Sequence, residues 1–82
     1  MIEVLYFAWL RERIGVNREM VDTKAATVEA LIAELVARGE GYALAFADRK
    51  SLRVALDQEM AAFDQSLVGV REVAFFPPMT GG

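Results

Sequence analysis

Thr27-Val28-Glu29-Ala30-Leu31-Ile32-Ala33-Glu34-Leu35-Val36-Ala37-Arg38 is the stretch that decides the fold. Val28, Leu31, Ile32, Leu35 and Val36 recur at i, i+3, i+4, i+7 and i+8, which lays one apolar face along a helix. Thr27 is the expected N-cap, and Glu29 places negative charge near the positive end of the helix dipole. A full capping box is absent, because Ala30 stands where a Glu would reach back. Gly39 suits a left-handed C′ position, and Glu34 and Arg38 are spaced to pair on the wet face. Burying five aliphatic side chains contributes about 10 kcal/mol before entropy is subtracted. That is enough to dock the helix on a sheet.

Working outward, strand signals flank this helix on both sides. Met1 to Phe7 alternates, with Ile2, Val4 and Tyr6 on one face and Glu3, Leu5 and Phe7 on the other. Ala8 to Ile14 reads as a short helix that Gly15 can end, and Arg18 to Val21 as a second strand. Tyr42 to Ala47 is an Ala-rich short helix or turn. Leu52 to Leu56 and Glu59 to Ala62 form a hairpin around Asp57-Gln58, a turn signal weakened by the lack of Gly. Glu72 to Phe76 is the last strand, stopped by Pro77-Pro78, neither of which can donate to a ladder. Strands around one long helix predict an α+β domain over residues 1–78, a small mixed sheet with the helix across one face. Residues 79–82 are expected to form a free tail.

Composition excludes many function classes. The 82 residues carry 9 basic and 12 acidic side chains, a net charge of -3, so no basic stripe points to nucleic acid. With no Cys and no His, the commonest zinc sites, a Cys nucleophile, disulfides and His-based triads are all excluded. Ser51 and Ser66 have no His to activate them. The carboxylates Glu3, Glu12, Asp57 and Glu59 are scattered and read as solvated surface. Gly39-x-Gly41 lacks the strand and the Lys of a phosphate loop. The longest apolar run, Val4 to Leu10, is too short to span a bilayer, and Met1-Ile2-Glu3 lacks the basic start of a signal peptide. The expectation is a cytoplasmic protein without membrane, nucleic-acid, metal or bound-cofactor chemistry.

Two features point to function. The first is the ending Pro77-Pro78-Met79-Thr80-Gly81-Gly82. It reads either as a frayed end or as a slender tail. Two prolines would stiffen its exit, and two residues without side chains would let a terminal carboxylate enter a narrow cleft. The second is an apolar surface. If the first and last strands are neighbours, Val73 and Phe75 face the helix, while Phe7 and Phe76 are exposed beside the tail, with Met60 close by. Such a patch marks a partner site unless a loop covers it. Arg11 and Arg13 follow the first strand, as a wet helix face or as partner contacts.

The segment Val73-Ala74-Phe75-Phe76-Pro77-Pro78-Met79-Thr80-Gly81-Gly82 resembles the C-terminus of the molybdopterin synthase small subunit family, within the ubiquitin-like β-grasp sulfur carriers. Val4-Leu5-Tyr6-Phe7-Ala8 with Arg11-Glu12, Thr27-Val28-Glu29-Ala30-Leu31 and Tyr42-Ala43-Leu44-Ala45 extend the resemblance over nearly the whole chain. It implies a β-grasp fold and a reacting carboxylate on Gly82, with Gly81 as the neck behind it. A ubiquitin-activator-like enzyme would use ATP to adenylate that carboxylate. A sulfur donor protein would supply sulfur for a thiocarboxylate, and the large synthase subunit would hold the active site, where cyclic pyranopterin monophosphate receives the sulfur. The resemblance also implies docking through Phe7, Met60 and Phe76, an ionic contact from Arg11, and a partner-bound tail of Pro77, Pro78, Met79 and Thr80. Relatives serving thiamine or tRNA thiolation, and ubiquitin-like protein modifiers, are the alternatives. Two departures stand out. Gly69-Val70-Arg71-Glu72 replaces an Asp-Gly-Asp-Glu-like turn, and Asp57 stands where relatives tend to have Asn.

Overall fold

A computed structural model describes residues 1–78. The expectations on Met79, Thr80, Gly81 and Gly82 lie outside the described residues. Five strands form one sheet: β1 (Ile2–Tyr6), β2 (Arg18–Val21), β3 (Arg53–Leu56), β4 (Glu59–Ala61) and β5 (Glu72–Phe76). Their order is β2-β1-β5-β3-β4. The central pair, β1 and β5, is parallel, with Val4 opposite Val73 and Tyr6 opposite Phe75. The other pairs are antiparallel. Three helices, α1 (Trp9–Ile14), α2 (Val28–Val36) and α3 (Glu40–Ala45), and a 3₁₀ turn at Arg49–Ser51 complete the fold. A mixed sheet with its longest helix packed over one face is the expected α+β β-grasp arrangement.

The core lies between that face and α2. Ile2, Val4 and Tyr6 from β1, Val73 and Phe75 from β5, and Val54 and Leu56 from β3 meet Val28, Leu31, Ile32 and Leu35 of α2. Of the five aliphatic residues on the helix stripe, four are buried and Val36 is half-buried. Thr27 caps the helix as expected, its hydroxyl accepting from the Ala30 N–H at 3.2 Å. The C-terminal end departs from expectation. Ala37 is the C-cap in right-handed helical conformation, and Gly39 is extended and starts α3. The chain passes into α3 without a left-handed stop, closing α2 with Ala37 N–H to Ala33 O and Arg38 N–H to Leu35 O. Glu34 and Arg38 do not pair. Glu34 accepts from the Thr23 hydroxyl at 2.6 Å, and Arg38 reaches Glu19 on β2 at 3.2 Å. Tertiary partners replace the intrahelical one.

Gly41 has a packing role instead of a phosphate-binding one. A Cβ there would sit 2.4 Å from the Arg13 carbonyl oxygen, so α3 approaches α1 as closely as it does only because position 41 is bare. Gly15 ends α1 in the left-handed region at φ 101°, as read from the sequence.

The β3–β4 hairpin turns on Asp57 and Gln58, both at positive φ (49° and 72°), which is a type I′ turn made without Gly. Asp57 is more than solvated surface. Its Oδ1 accepts from the backbone N–H groups of Arg71 at 3.1 Å and Glu72 at 2.9 Å, and its own N–H donates to Glu72 O at 2.9 Å. One carboxylate thus ties the hairpin to the start of β5. In the divergent turn before β5, Gly69 takes the positive φ of 78°, and Val70 does not have to.

Asp57→Ala removes both side-chain bonds and leaves a non-Gly residue in a left-handed conformation. It should lower unfolding free energy by about 1–2 kcal/mol. Asp57→Asn keeps an acceptor and tolerates that conformation, so it should recover most of the loss. Urea titrations of the three proteins, compared at their midpoints, measure both effects.

Candidate functional site

The helices cover one face of the sheet and leave the other bare. Cross-strand register fixes which side chains line the bare face. Leu5 of β1 lies opposite Ala74 of β5, Ala74 opposite Ala55 of β3, and Ala55 opposite Met60 of β4. One rung further toward the C-terminal end, Phe76 is opposite Arg53, and the Phe7 N–H donates to Phe75 O at 3.1 Å. Phe7 and Phe76 therefore stand on neighbouring strands at the point where the chain leaves the sheet. Phe7 is 44% exposed and Met60 66%, while Phe76, Pro77 and Pro78 are half-buried.

Most of the expected docking residues are brought together, with two refinements. Met60 shares the face but is separated from β5 by β3, so it lies across the alanine strip from Phe76. Ala74 and Ala55 point outward yet are nearly inaccessible, at 8% and 9% exposure. Larger side chains flank them on the same face, and Arg18 of β2 stands opposite Leu5 in the same row. No described element covers the face, so the rings are open to a partner. Arg11 is exposed on α1, whose first turn folds back from β1 through Leu10 N–H to Phe7 O at 3.2 Å. Arg13 belongs elsewhere. Its guanidinium lies 4.5 Å from the centre of the Trp9 ring and donates to Leu44 O at 3.4 Å. It helps line a groove of about 360 Å³ with Trp9, Leu44, Ala47, Asp48 and Ser51.

Sequence reasoning missed a polar cluster on the helix side. Glu19 of β2 faces inward opposite Val4 and accepts three bonds. These come from the Tyr6 hydroxyl at 2.7 Å, the Tyr42 hydroxyl at 2.8 Å and Arg38 Nη1 at 3.2 Å. The cluster joins β1, β2, α3 and the end of α2. Its one available signal was Tyr6, an inward-facing phenol that required a buried acceptor. Burial, and then the adjacent Glu19 carboxylate, hold the Tyr6 hydroxyl well above the ordinary phenol range. Tyr42 is raised for the same reasons, in the same order. Among the described residues no group of three or more His, Cys, Asp or Glu side chains could hold a metal ion. No described helix is long and apolar enough to cross a membrane.

The model of the ThiS family matches residues 4–82. The chain belongs to the ThiS family. Over all 82 residues, and the full length of each relative, it is 45% identical to the molybdopterin synthase sulfur carrier subunit of Escherichia coli (strain K12). It is 39% identical to the protein of that name from Haemophilus influenzae. Among solved structures, SAMP1 from Haloferax volcanii superposes with a TM-score of 0.72 at 30% identity, covering 99% of this chain and 98% of that one. This ThiS-family chain thus shares its fold with a sulfur carrier branch and with a protein named as a modifier.

Two measurements test the site. Phe7→Ala should leave stability within about 1 kcal/mol, because the ring faces solvent, whereas Phe75→Ala on the buried side of β5 should cost about 3–5 kcal/mol. Chemical denaturation of both variants reads the difference. The Tyr6 proton gives a pH dependence of known sign. The unfolded phenol ionises near 10, and the folded one holds its proton to higher pH. The contribution is complete below pH 10 and is lost as pH rises above it. Wild-type stability should fall more steeply above pH 10 than that of Tyr6→Phe, by up to about 1.4 kcal/mol per pH unit.

Proposed function

We propose that the protein is a cytoplasmic sulfur carrier, the small subunit of molybdopterin synthase, and that its C-terminal Gly82 is the group that reacts. The observation that carries this reading is the 45% end-to-end identity with a molybdopterin synthase sulfur carrier subunit. The chain's own chemistry agrees with it. A protein without Cys or His has few means of catalysis, but it can supply a carboxylate as a reactant.

In this reading the Gly82 carboxylate attacks the α-phosphate of ATP on an adenylating enzyme, and pyrophosphate leaves. A persulfide on a donor protein attacks the acyl-adenylate and expels AMP, and a thiol then cleaves the resulting acyl disulfide, taking the donor's sulfur as a disulfide and leaving the outer sulfur on Gly82 as a thiocarboxylate. The sheet face then seats on the large subunit. The tail delivers sulfur to cyclic pyranopterin monophosphate, where the dithiolene is built. Residues 1–78 act as the handle, and residues 79–82 as the arm. Pro77-Pro78 restrict the backbone where the arm begins, and Gly81 leaves the neck slender. Catalytic acids, bases and the nucleotide site belong to the partners, so the small subunit is non-catalytic alone.

A second reading, a modifier joined to lysines through Gly82, is favoured by the likeness to small archaeal modifier protein 1. One experiment separates the two. The chain is incubated with the adenylating enzyme, ATP and a sulfur donor and followed by intact-mass spectrometry. A carrier gains the mass difference between sulfur and oxygen, and loses it when the large subunit and pterin precursor are added. A modifier appears as lysine-linked adducts.

Deleting Gly82 should leave the unfolding curve unchanged and abolish sulfur transfer. The carboxylate would sit up to about 3.6 Å short, and misplacement of a reacting atom by 1 Å can cost about a hundredfold. Full synthase activity in the deletion would refute the mechanism.

A further inference from the structure

β2 (Arg18–Val21) forms one edge of the sheet, with β1 as its one partner among the described strands. The Tyr6 N–H donates to Asn17 O at 2.9 Å, in the same register that sets Val4 opposite Glu19. Bonded and non-bonded pairs alternate along an antiparallel ladder, so Asn17, Glu19 and Val21 turn their backbone groups toward β1. Arg18 and Met20 turn theirs outward, and Asp22 continues the alternation. No other described backbone group bonds to these outward N–H and C=O groups. The side chains of Arg18, Met20 and Asp22 are all exposed, Met20 at 56%. Along the edge they run basic, apolar and acidic at i, i+2 and i+4, on the side of the sheet away from the helices. Arg18 spends one nitrogen on Glu3 at 3.4 Å and keeps 61% of its side chain exposed. Asp22 has no ion pair among the described residues.

That order is its own complement when the strand is reversed. If two copies pair antiparallel about Met20, it meets the partner's Met20, and each Arg18 meets the partner's Asp22. Outward groups then meet outward groups at three positions, which supplies about six inter-strand hydrogen bonds. The neighbouring registers fail. Setting Arg18 against the partner's Met20 brings Glu19 directly opposite the partner's Glu19, two like charges. Setting Met20 against the partner's Asp22 brings Arg18 opposite the partner's Lys24, again like charges. β4, at the other edge of the sheet, carries no basic side chain and cannot pair with itself in this way. We propose that β2 is a self-complementary edge through which two copies of this chain join their sheets about a two-fold axis. The contact is the same on both copies, so it closes at two. Two four-residue strands make a small interface, and the dimer is half-formed at about 0.1–1 mM chain. Pairing covers an edge that otherwise offers a template for aggregation. β1 stands between β2 and β5, so the exit of the chain at Phe76 stays clear, and the inference is independent of the carrier reading.

Sedimentation equilibrium of the full chain from about 0.01 to about 1 mM, with backbone amide signals followed by NMR over the same range, tests this. The wild-type chain should pass from monomer to dimer, and the N–H signals of Arg18, Met20 and Asp22 should move most. Arg18→Asp and Asp22→Arg should each weaken dimerisation by about 10-fold, because each sets like charges opposite one another twice. An equal mixture of the two variants should recover association to within about 3-fold of wild type, since their edges complement each other. Recovery of that kind requires both variants to be folded. Met20→Pro removes an outward N–H and leaves the β1 ladder intact, so it should abolish dimerisation while the chain still unfolds cooperatively. A wild-type chain that stays monomeric to about 1 mM would overturn the proposal. So would a dimer whose moving signals lie at Leu5, Ala74 and Met60, or one indifferent to both charge reversals. Variants that associate poorly alone and no better when mixed would also overturn it, by giving Arg18 and Asp22 a purely structural role.

Discussion

The parallel pairing of β1 with β5 is the constraint on which the rest of the structure depends. It places the first strand beside the last, in the middle of the sheet, with both running toward the same edge. Antiparallel pairing would have sent the C-terminal end of β5 toward the opposite edge, away from Phe7 and α1. Because the pairing is parallel, Phe7, Phe76 and the start of the tail share one edge, and α1 folds back beside them. Both strands are buried on the helix side, with Val4, Tyr6, Val73 and Phe75 at 1% exposure or less. The strands that lead to the tail are therefore anchored in the core.

One-sided helix coverage has a second consequence. Every helix with buried residues contributes them to a single core, which leaves the other sheet face without any described cover. In a domain of this size that is a large unpaired surface, and its composition changes from row to row. Glu3 and Glu72 share one row with Met20, Arg18 joins Leu5, Ala74, Ala55 and Met60 in the next, and Phe7, Phe76 and Arg53 stand at the tail end. Apolar area is what gives a face of this kind affinity for a partner.

The Glu19 cluster shows how the helix side is pinned. A single inward carboxylate collects two phenols and one guanidinium from three other elements. The close approach of Gly41 to the Arg13 carbonyl holds α3 against α1 on the same side. These contacts stiffen the layer behind the sheet, so the open face can serve as a rigid seat. The described chain thus separates its layers in space, with the core behind the sheet and the open face in front; in the proposed reading that face is the docking surface and Gly82 is the reacting group.

The sequence by itself determined the elements and the chemistry they lack. The Val28–Val36 stripe, the alternation of Ile2 to Tyr6 and the Pro77-Pro78 stop are local patterns with a period set by backbone geometry, so they were legible without a structure. So was the absence of Cys and His, and with it the likeness to carriers that end in Gly-Gly. Tertiary structure alone decided what those elements meet. The side-chain bonds of Asp57 and Glu19 carry no local signal, because their partners lie 13 or more residues away in sequence. Glu34 and Arg38 had an ideal intrahelical spacing and still chose Thr23 and Glu19, since a surface pair is worth too little to outweigh tertiary geometry. The opposition of Glu3 to Glu72, and of Phe76 to Arg53, exists only once the strand order is set. Register between distant strands is a property of the packed sheet, because many pairings satisfy the same alternation and only the closed core selects one.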